Sequence, residues 1–228
     1  MASVNIHCPR CQSAQVYRHG QNPKGHDRFR CRDCHRVFQL TYTYEARKPG
    51  IKELITEMAF NGAGVRDTAR TLKIGINTVI RTFKKLTPKR ITSSPVAHAD
   101  VALICELDEQ WSFVGSKARQ HWLWYAYNTK TGGVLAYTFG PRTDETCREL
   151  LALLTPFNIT SDDWGSYGRE VPKDKHLTGK IFTQRIERNN LTLRTRIKRL
   201  ARKTICFSRS VEIHEKVIGT FIEKHMFY

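Results

Sequence analysis

The chain has 228 residues, of which 40% are hydrophobic and 26% are charged, and this composition favours folded domains over a disordered chain. Lysine and arginine outnumber aspartate and glutamate by 38 to 21, and the first 100 residues alone hold 18 basic and 7 acidic residues. Because each phosphate that a protein neutralises releases condensed counterions, the net charge of +17 favours a nucleic-acid partner. An anionic membrane surface is disfavoured, since the sequence has no lipidation signal and no basic amphipathic helix.

The sequence also indicates the cellular compartment of the protein. No apolar run approaches the ~20 residues that a membrane-spanning helix needs, and the first 30 residues are polar where a secretory signal would be apolar. We therefore expect a cytoplasmic protein. In such a reducing compartment, its seven cysteines are more typical of metal ligands and buried thiols than of disulfides.

Two CxxC pairs near the amino terminus have the spacing of a four-thiolate zinc site. The four cysteines are Cys8, Cys11, Cys31 and Cys34. Nineteen residues separate the pairs, and the turn residues Gly20, Pro23 and Gly25 among them predict a hairpin. Four thiolates fill the coordination sphere of a tetrahedral Zn²⁺ ion and leave no open position for catalysis. We predict one structural zinc ion in a ribbon over residues 1–45.

Three short helices are predicted next. The first covers residues 51–60, the second 65–72 and the third 76–86, with Gly75 in the turn between the last two. Three helices with one tight glycine turn are typical of a helix-turn-helix DNA-binding domain, here assigned to residues 46–90.

The third helix carries the residues that we expect to contact DNA. They are Asn77, Thr78, Arg81, Lys84 and Lys85. Asparagine and arginine side chains can hydrogen-bond to base edges in the major groove, and lysines can contact phosphates. A helical bundle with a solvated basic face is the alternative. Residues 91–100 contain Ser93, Ser94 and Pro95 without periodicity and predict a linker.

The rest of the chain, residues 101–228, is predicted to form an α/β domain. Its predicted elements are strands at 101–115, 121–128 and 134–140, a helix at 144–154, a short strand ending at 158–163, and helices at 182–203 and 211–227. The β-branched and aromatic residues of the first three segments favour strands.

Three acidic residues lie where this fold would bring them into one cleft. Asp108 is at the polar end of the first strand, Asp162 follows the fourth strand, and Glu187 adjoins the apolar stripe of the long helix. Carboxylates that lie close together repel one another unless cations occupy the site. Their hard oxygens suit Mg²⁺ or Mn²⁺, and two such ions about 4 Å apart can activate an attacking oxygen and stabilise a leaving one. Spacing alone is weak evidence, because most acidic side chains are solvated surface charges.

Segments throughout the chain resemble transposases of the insertion-sequence-one family. They are DEQWSFVG at 108–115, SDDWGSYG at 161–168, IERNNLTLRTRIKRLARKTICFSRS at 186–210, and the amino-terminal CPRC, CRDC and GVRDTARTL. The resemblance implies a multidomain protein in which a zinc ribbon and a helix-turn-helix precede an α/β catalytic domain with a ribonuclease H-like fold. It also implies the full-length form, which in this family is often a fusion of two reading frames.

The same resemblance implies a DDE triad of Asp108, Asp162 and Glu187 that binds catalytic metal ions. Twenty-four residues separate the last two, as is typical of this family. Asp163 remains an alternative to Asp162. The alternatives to Asp108 are Glu106 and Glu109.

A dense basic stretch surrounds Glu187 and predicts contacts with DNA phosphates. Its members are Arg185, Arg188, Arg194, Arg196, Lys198, Arg199, Arg202 and Lys203. We select Arg188, Arg194 and Lys198 as DNA-binding candidates, although a solvated helix face would have the same composition. Trp111 and Trp164 each follow an acidic candidate, and core packing is favoured for them over stacking on an unpaired base.

These features together predict a DNA transposase. It would bind the terminal inverted repeats of an insertion element and catalyse metal-dependent cleavage and strand transfer, with double-stranded DNA of the element ends and of the target as partners. Because two ends must be held together, we expect a homo-oligomer, at least a dimer. The alternatives are a site-specific DNA-binding regulator without catalysis and a ribonuclease H-like nuclease that cleaves without joining.

Overall fold

The computed structural model describes residues 5–41, 44–92, 104–154, 158–161, 165–174, 176–179, 184–201 and 205–227. The chain divides into two compact units, residues 1–51 and residues 52–228. None of the described helices is both long enough and apolar enough to cross a membrane.

The first unit contains a three-stranded antiparallel ribbon. Its strands are β1 (Val16–Gln21), β2 (Asp27–Cys31) and β3 (Val37–Phe38), adjacent in that order. In the turn between β1 and β2, the side-chain oxygen of Asn22 accepts hydrogen bonds from the backbone N–H groups of Lys24 and His26. The hairpin predicted between the two cysteine pairs is therefore confirmed.

The three helices of the predicted helix-turn-helix are present. They are α1 (Ile51–Phe60), α2 (Val65–Thr71) and α3 (Ile76–Lys84). Ile55, Val79 and Phe83 are fully buried and form the centre of their core. The left-handed residue of the turn is Lys73, with a φ of 53°, whereas Gly75 has a φ of −70° and precedes α3 in an extended conformation. The backbone of this turn therefore does not require a glycine at position 75.

The second half of the chain forms a five-stranded mixed sheet. Its elements are β4 (Ile104–Val114), β5 (Ser116–Asn128), β6 (Val134–Gly140), α4 (Asp144–Leu153), β7 (Asn158–Ser161), α5 (Gly165–Glu170), β8 (His176–Thr178), α6 (Gln184–Arg196) and α7 (Val211–His225). The strand order is β6-β5-β4-β7-β8: the first three strands are antiparallel, and β7 and β8 continue the sheet in parallel with β4. This order confirms the predicted α/β class and agrees with a ribonuclease H-like domain.

Helices cover both faces of the sheet. Leu107 and Trp124 pack on one face against α4 and α5, in a core that includes Leu150 and Tyr167. Successive side chains of a strand point to opposite faces, so the side chain of Tyr125 lies on the other face, where its hydroxyl donates to the backbone oxygen of Ile186 in α6.

The long helix predicted over residues 182–203 is shorter in the structure, and this part of the prediction is wrong. α6 ends at Arg196, Ile197 has extended φ and ψ values of −108° and 95°, and a 3-10 turn covers Lys198–Leu200. A continuous helix would turn residue 199 about 160° away from residue 197 and about 100° away from residue 200. The break allows the side chains of Ile197, Arg199 and Leu200 to be buried together.

The helix-turn-helix packs against α7 within the second unit. The rings of Phe60 in α1 and Phe221 in α7 meet edge to face, with centroids 5.1 Å apart. The ammonium group of Lys216 in α7 donates to the backbone oxygen of Lys84 at the end of α3, at 2.5 Å. These contacts hold the helix-turn-helix to the carboxy-terminal helix.

The start of the predicted linker is also attached to the sheet. The N–H of Thr92 donates to the carbonyl of Leu135 in β6 at 2.8 Å, and Ile91 forms a bridge with Ala136. The rest of the linker, residues 93–100, lies outside the described residues. The predicted domain boundaries stay predictions.

Candidate active site and DNA-binding surfaces

The four cysteines of the ribbon converge on one point. Their sulfur atoms all lie within 4.8 Å of one another. The Sγ atoms of Cys8 and Cys34 are 3.5 Å apart, as are those of Cys11 and Cys31. A Zn²⁺ ion bound to four thiolates at about 2.3 Å places the sulfur atoms about 3.8 Å apart. The cluster therefore has the dimensions of a tetrahedral zinc site.

The hydrophobic core of the ribbon is too small to fold it without further support. Besides two of the cysteines, the buried apolar side chains of the described ribbon are Phe29 and Phe38, with ring centroids 6.0 Å apart. A domain of this size normally needs a metal or disulfides. The cysteine cluster supplies the ligands for a metal whose binding energy contributes to folding.

The DNA-binding candidates on α3 form a polar face. Asn77, Arg81, Lys84 and Lys85 are exposed, and Thr78 is half-buried. Val79 and Phe83 are fully buried on the opposite side of the same helix. α3 therefore presents amide and cationic groups to solvent, as a helix that enters a DNA groove must.

β4 positions Asp108 beside α6. One carboxylate oxygen of Asp108 accepts a hydrogen bond from the side-chain amide of Asn190 in α6, and the other accepts from the N–H of Glu109 at 2.8 Å. The side-chain oxygen of Asn190 in turn accepts from the hydroxyl of Tyr125 at 2.9 Å. Tyr125 is fully buried, and its burial holds the pKa of the phenol well above its usual value. The orientation of the Asp108 carboxylate is therefore fixed by a chain of hydrogen bonds that ends in the core.

Glu106 attaches the beginning of α6 to the same strand. Its side chain is buried, and a carboxylate oxygen accepts from the backbone N–H of Ile186 at 2.5 Å. Burial raises the pKa of this carboxyl, and the hydrogen bond opposes that rise. Because the first N–H groups of a helix have no partner within the helix, a buried carboxylate at this place stabilises the start of α6.

Glu187 is exposed and lies three residues before Asn190 in α6. Residues three apart on a helix are neighbours on its surface, so Glu187 borders the side of α6 that meets Asp108. The structure thus brings Asp108 together with α6, the helix that carries Glu187.

The second acid, Asp162, and its alternative Asp163 lie outside the described residues. The strand that precedes them ends at Ser161. Thr160 of β7 pairs with Glu106 of β4 in the parallel ladder. Since Ser161 is one residue past that pair, the carboxyl end of β7 reaches the part of β4 that carries Asp108.

Glu109, an alternative to Asp108, faces the other side of the sheet. Its carboxylate accepts from Arg142 at 2.6 Å and from the hydroxyl of Tyr167 at 2.7 Å. It is thereby engaged on the α4–α5 side, away from α6. The two faces of β4 give Asp108 and Glu109 different surroundings.

The basic stretch after Glu187 divides into exposed and buried members. Arg188 and Lys198 are exposed and Arg194 is half-buried. Arg199 is buried, and its guanidinium donates to the carbonyl of Ala59 in the last turn of α1 at 3.2 Å and to that of Ala63 after the helix at 3.3 Å. The inclusion of Arg199 among the predicted phosphate contacts is therefore wrong: it binds the helix-turn-helix backbone instead. Arg202 and Lys203 lie outside the described residues.

One of the two tryptophans that are predicted to pack in the core has a ring contact. Trp111 is half-buried and meets Phe113 edge to face, with centroids 5.0 Å apart. This contact agrees with a packing role. Trp164 lies outside the described residues.

Asn190 orients Asp108, and this role was not predicted from the sequence. The signal was present, because Ile186, Asn190, Leu193 and Ile197 follow one another at helical spacing. A polar residue within an apolar stripe is buried with a hydrogen-bonding partner or lies at a functional site.

Three family models match the chain. They are the IS1 transposase model over residues 102–228, the InsA carboxy-terminal domain model over 42–86, described as a helix-turn-helix, and the InsA amino-terminal domain model over 1–35, described as a zinc ribbon. The first alone covers more than half of the chain.

Two relatives from Shigella dysenteriae match different segments of the chain. The iso-IS1n protein InsB is 97% identical over 131 residues, which are 56% of this chain and 100% of the relative. The iso-IS1N protein InsA is 99% identical over 84 residues, which are 37% of this chain and 93% of the relative. An IS1 InsB protein of Escherichia coli K12 is 46% identical over 147 residues, 63% of this chain and 88% of the relative. The chain therefore joins an InsA-like and an InsB-like segment in one polypeptide.

Proposed function

The chain belongs to the IS1 transposase family and is a DDE transposase, and from this premise we propose that Asp108, Asp162 and Glu187 form its catalytic triad. The observation that most supports this assignment is the hydrogen bond between Asp108 and Asn190, because it joins β4 to the helix that carries Glu187. The proposed reaction is cleavage at the ends of an insertion element and transfer of the 3′ hydroxyls to target DNA.

The proposed triad fits a site for divalent cations. Asp108 lies on a strand and Glu187 is exposed on the adjacent helix, so both can offer carboxylate oxygens from a rigid framework. Such ligands suit Mg²⁺ or Mn²⁺, and we propose two ions. When bound, they would supply charge stabilisation for the attacking and leaving oxygens. The zinc ion of the ribbon is proposed to be single and structural.

The surrounding residues position the triad. Asn190 and Tyr125 hold the Asp108 carboxylate in one orientation, and Glu106 fixes the first turn of α6, one residue before Glu187. Such support matters because small displacements of catalytic groups cost large factors in rate.

DNA binding is assigned to two surfaces. The exposed face of α3 would read the terminal inverted repeats, through Asn77, Thr78, Arg81, Lys84 and Lys85. Arg188, Arg194 and Lys198 would contact phosphates close to the triad. We further propose a homo-oligomer, at least a dimer, because two ends must be held in one complex.

The test is a strand-transfer assay with pre-cleaved element ends, target DNA and Mg²⁺. Asp108→Asn is expected to abolish joining while the binding of the ends remains. Glu187→Gln should do the same, and comparison of Asp162→Asn with Asp163→Asn identifies the second acid. Joining at the wild-type rate by Asp108→Asn would refute the triad.

Two outcomes separate the alternatives. A wild-type chain that cleaves ends without joining them is a nuclease. A chain that binds ends with zinc and shows no Mg²⁺-dependent reaction is a regulator. Glu145→Gln is the matched control, since this exposed acid at the start of α4 has no role in the proposed site.

A further inference from the structure

A cleft of about 510 Å³ lies beside α3, the helix that is assigned to DNA binding, and is lined by three helices. α3 contributes Arg81 and Lys85, which are among the residues assigned to DNA binding. α1 contributes Lys52, and α7 contributes Thr220 and Lys224. The carboxy-terminal helix α7 therefore forms part of the cleft wall, next to the face of α3 that is assigned to DNA binding.

The cleft is strongly cationic. Its basic residues are Lys52, Arg81, Lys85 and Lys224, all of them exposed. Glu53 is the acidic residue among its lining side chains. Four cations against one carboxylate favour a polyanion, and a duplex whose major groove received α3 would bring its backbone along this wall.

Lys224 is available to bind a phosphate. Its ammonium group lies 3.8 Å from the carboxylate of Glu57, and the two side chains are 41% and 48% exposed. An ion pair this exposed contributes only about 0–1 kcal/mol. Lys224 can therefore turn to a phosphate at little cost.

The position of Lys224 relative to α3 is fixed by packing. Phe221, three residues earlier in α7, packs on Phe60 of α1, and Lys216 binds the end of α3 through the carbonyl of Lys84. A cation held on a rigid helix loses less entropy on binding than one on a loop.

We propose that α7 belongs to the DNA-binding surface and that Lys224 contacts a backbone phosphate of the duplex bound by α3. The inference rests on the assignment of α3 as the DNA-reading helix. It gives the transposase a contact that an InsA-length chain cannot make: the matched 84 residues are 93% of the Shigella dysenteriae InsA relative, which leaves no room for a counterpart of α7.

The experiment measures the affinity of the full chain for a fluorescent duplex carrying the terminal DNA of its element, over a range of salt concentrations and without Mg²⁺ or Mn²⁺. Loss of one phosphate contact lowers the steepness of log K against log salt by about 0.9, which corresponds to about fivefold weaker binding at 0.15 M salt. Lys224→Ala should show both effects, and Lys224→Arg should show neither.

Two controls distinguish a phosphate contact from a structural role. If Lys224 acted only through its ion pair, Glu57→Gln would weaken binding equally; we expect it to leave binding unchanged or to strengthen it. Lys173→Ala removes an exposed lysine from the segment between α5 and β8, and its binding should match that of the wild type. Circular dichroism verifies that each variant is folded.

Wild-type affinity and salt dependence in Lys224→Ala would overturn the inference, and so would an equal loss in Glu57→Gln. Either result leaves the proposed function intact as long as the wild-type chain prefers the element end to an unrelated duplex. If the wild-type chain shows no such preference, the assignment of α3 as the helix that recognises the element end is refuted.

Discussion

Asn190 shows how much of the site depends on a single neutral side chain. Its amide nitrogen donates to Asp108 and its oxygen accepts from Tyr125, so both ends of the amide group have partners. A neutral amide can hold a carboxylate without competing for a cation. Residues that orient metal-ligating carboxylates in this way affect metal affinity and rate by ~10–100-fold.

We expect Asn190→Ala to lower the rate of strand transfer by about 10–100-fold and to raise the Mg²⁺ concentration that gives half-maximal rate, because the Asp108 carboxylate loses its orienting donor. End binding should not change. Asn189→Ala is the matched control, since the side-chain amide of Asn189 donates to the hydroxyl of Tyr125 at 3.3 Å. Equal rates and equal Mg²⁺ requirements in the two variants would contradict this role.

At the scale of elements, the positions of helices and strands were predictable wherever the local sequence pattern determines them. The helix-turn-helix, the ribbon hairpin and α7 follow from apolar spacing and turn residues. The end of α6 was not predictable. Arg199 lies in a basic stretch that resembles a solvated helix face, and its partners Ala59 and Ala63 are about 140 residues away in sequence. Burial by a distant segment leaves no local signal.

In the site, too, local sequence patterns identify candidate residues but not the contacts that the tertiary fold creates. Asp108 and Glu187 were selected because motifs resemble a family, and their proximity required the sheet register and the placement of α6. His214 in α7 is buried, and its hydrogen bonds to Ser112 at 2.9 Å and Ser208 at 3.0 Å could not be predicted from helical spacing. Val211, at the start of the same helix, is 46% exposed.

The zinc ribbon is the element most dependent on a ligand. We expect one zinc ion per wild-type chain, and Cys31→Ser should lose it, because Cys31 is a buried member of the four-cysteine cluster. Loss of the metal should unfold the ribbon, whose apolar core is small. Zinc released after thiol modification is measured with a colorimetric chelator, and far-UV circular dichroism follows the fold. Cys206→Ser, outside the cluster, should retain the full zinc content; zinc retained by Cys31→Ser would refute the site.

At the scale of the whole molecule, residues 52–228 form one compact unit that contains both the helix-turn-helix and the catalytic sheet. Phe60 packs on Phe221, and Arg199 donates to the carbonyls of Ala59 and Ala63. Such an arrangement would fix the distance from the bound element end to the cleavage site. A transposase that must cut at a defined end benefits from this constancy, since misplacement of the scissile bond costs rate steeply.

This coupling predicts how the unit unfolds. Phe60 is 3% exposed, and Phe60→Ala is expected to destabilise the chain by about 3 kcal/mol through the cavity it leaves against Phe221. If the helix-turn-helix and the sheet open together, hydrogen exchange should accelerate by similar factors in α1, α7 and β4. Leu54→Ala, at a 48% exposed position of the same helix, should change stability by less than about 0.5 kcal/mol. Faster exchange confined to α1–α3 would show instead that the DNA-binding helices open independently, and the fixed distance between end recognition and cleavage would then need another source.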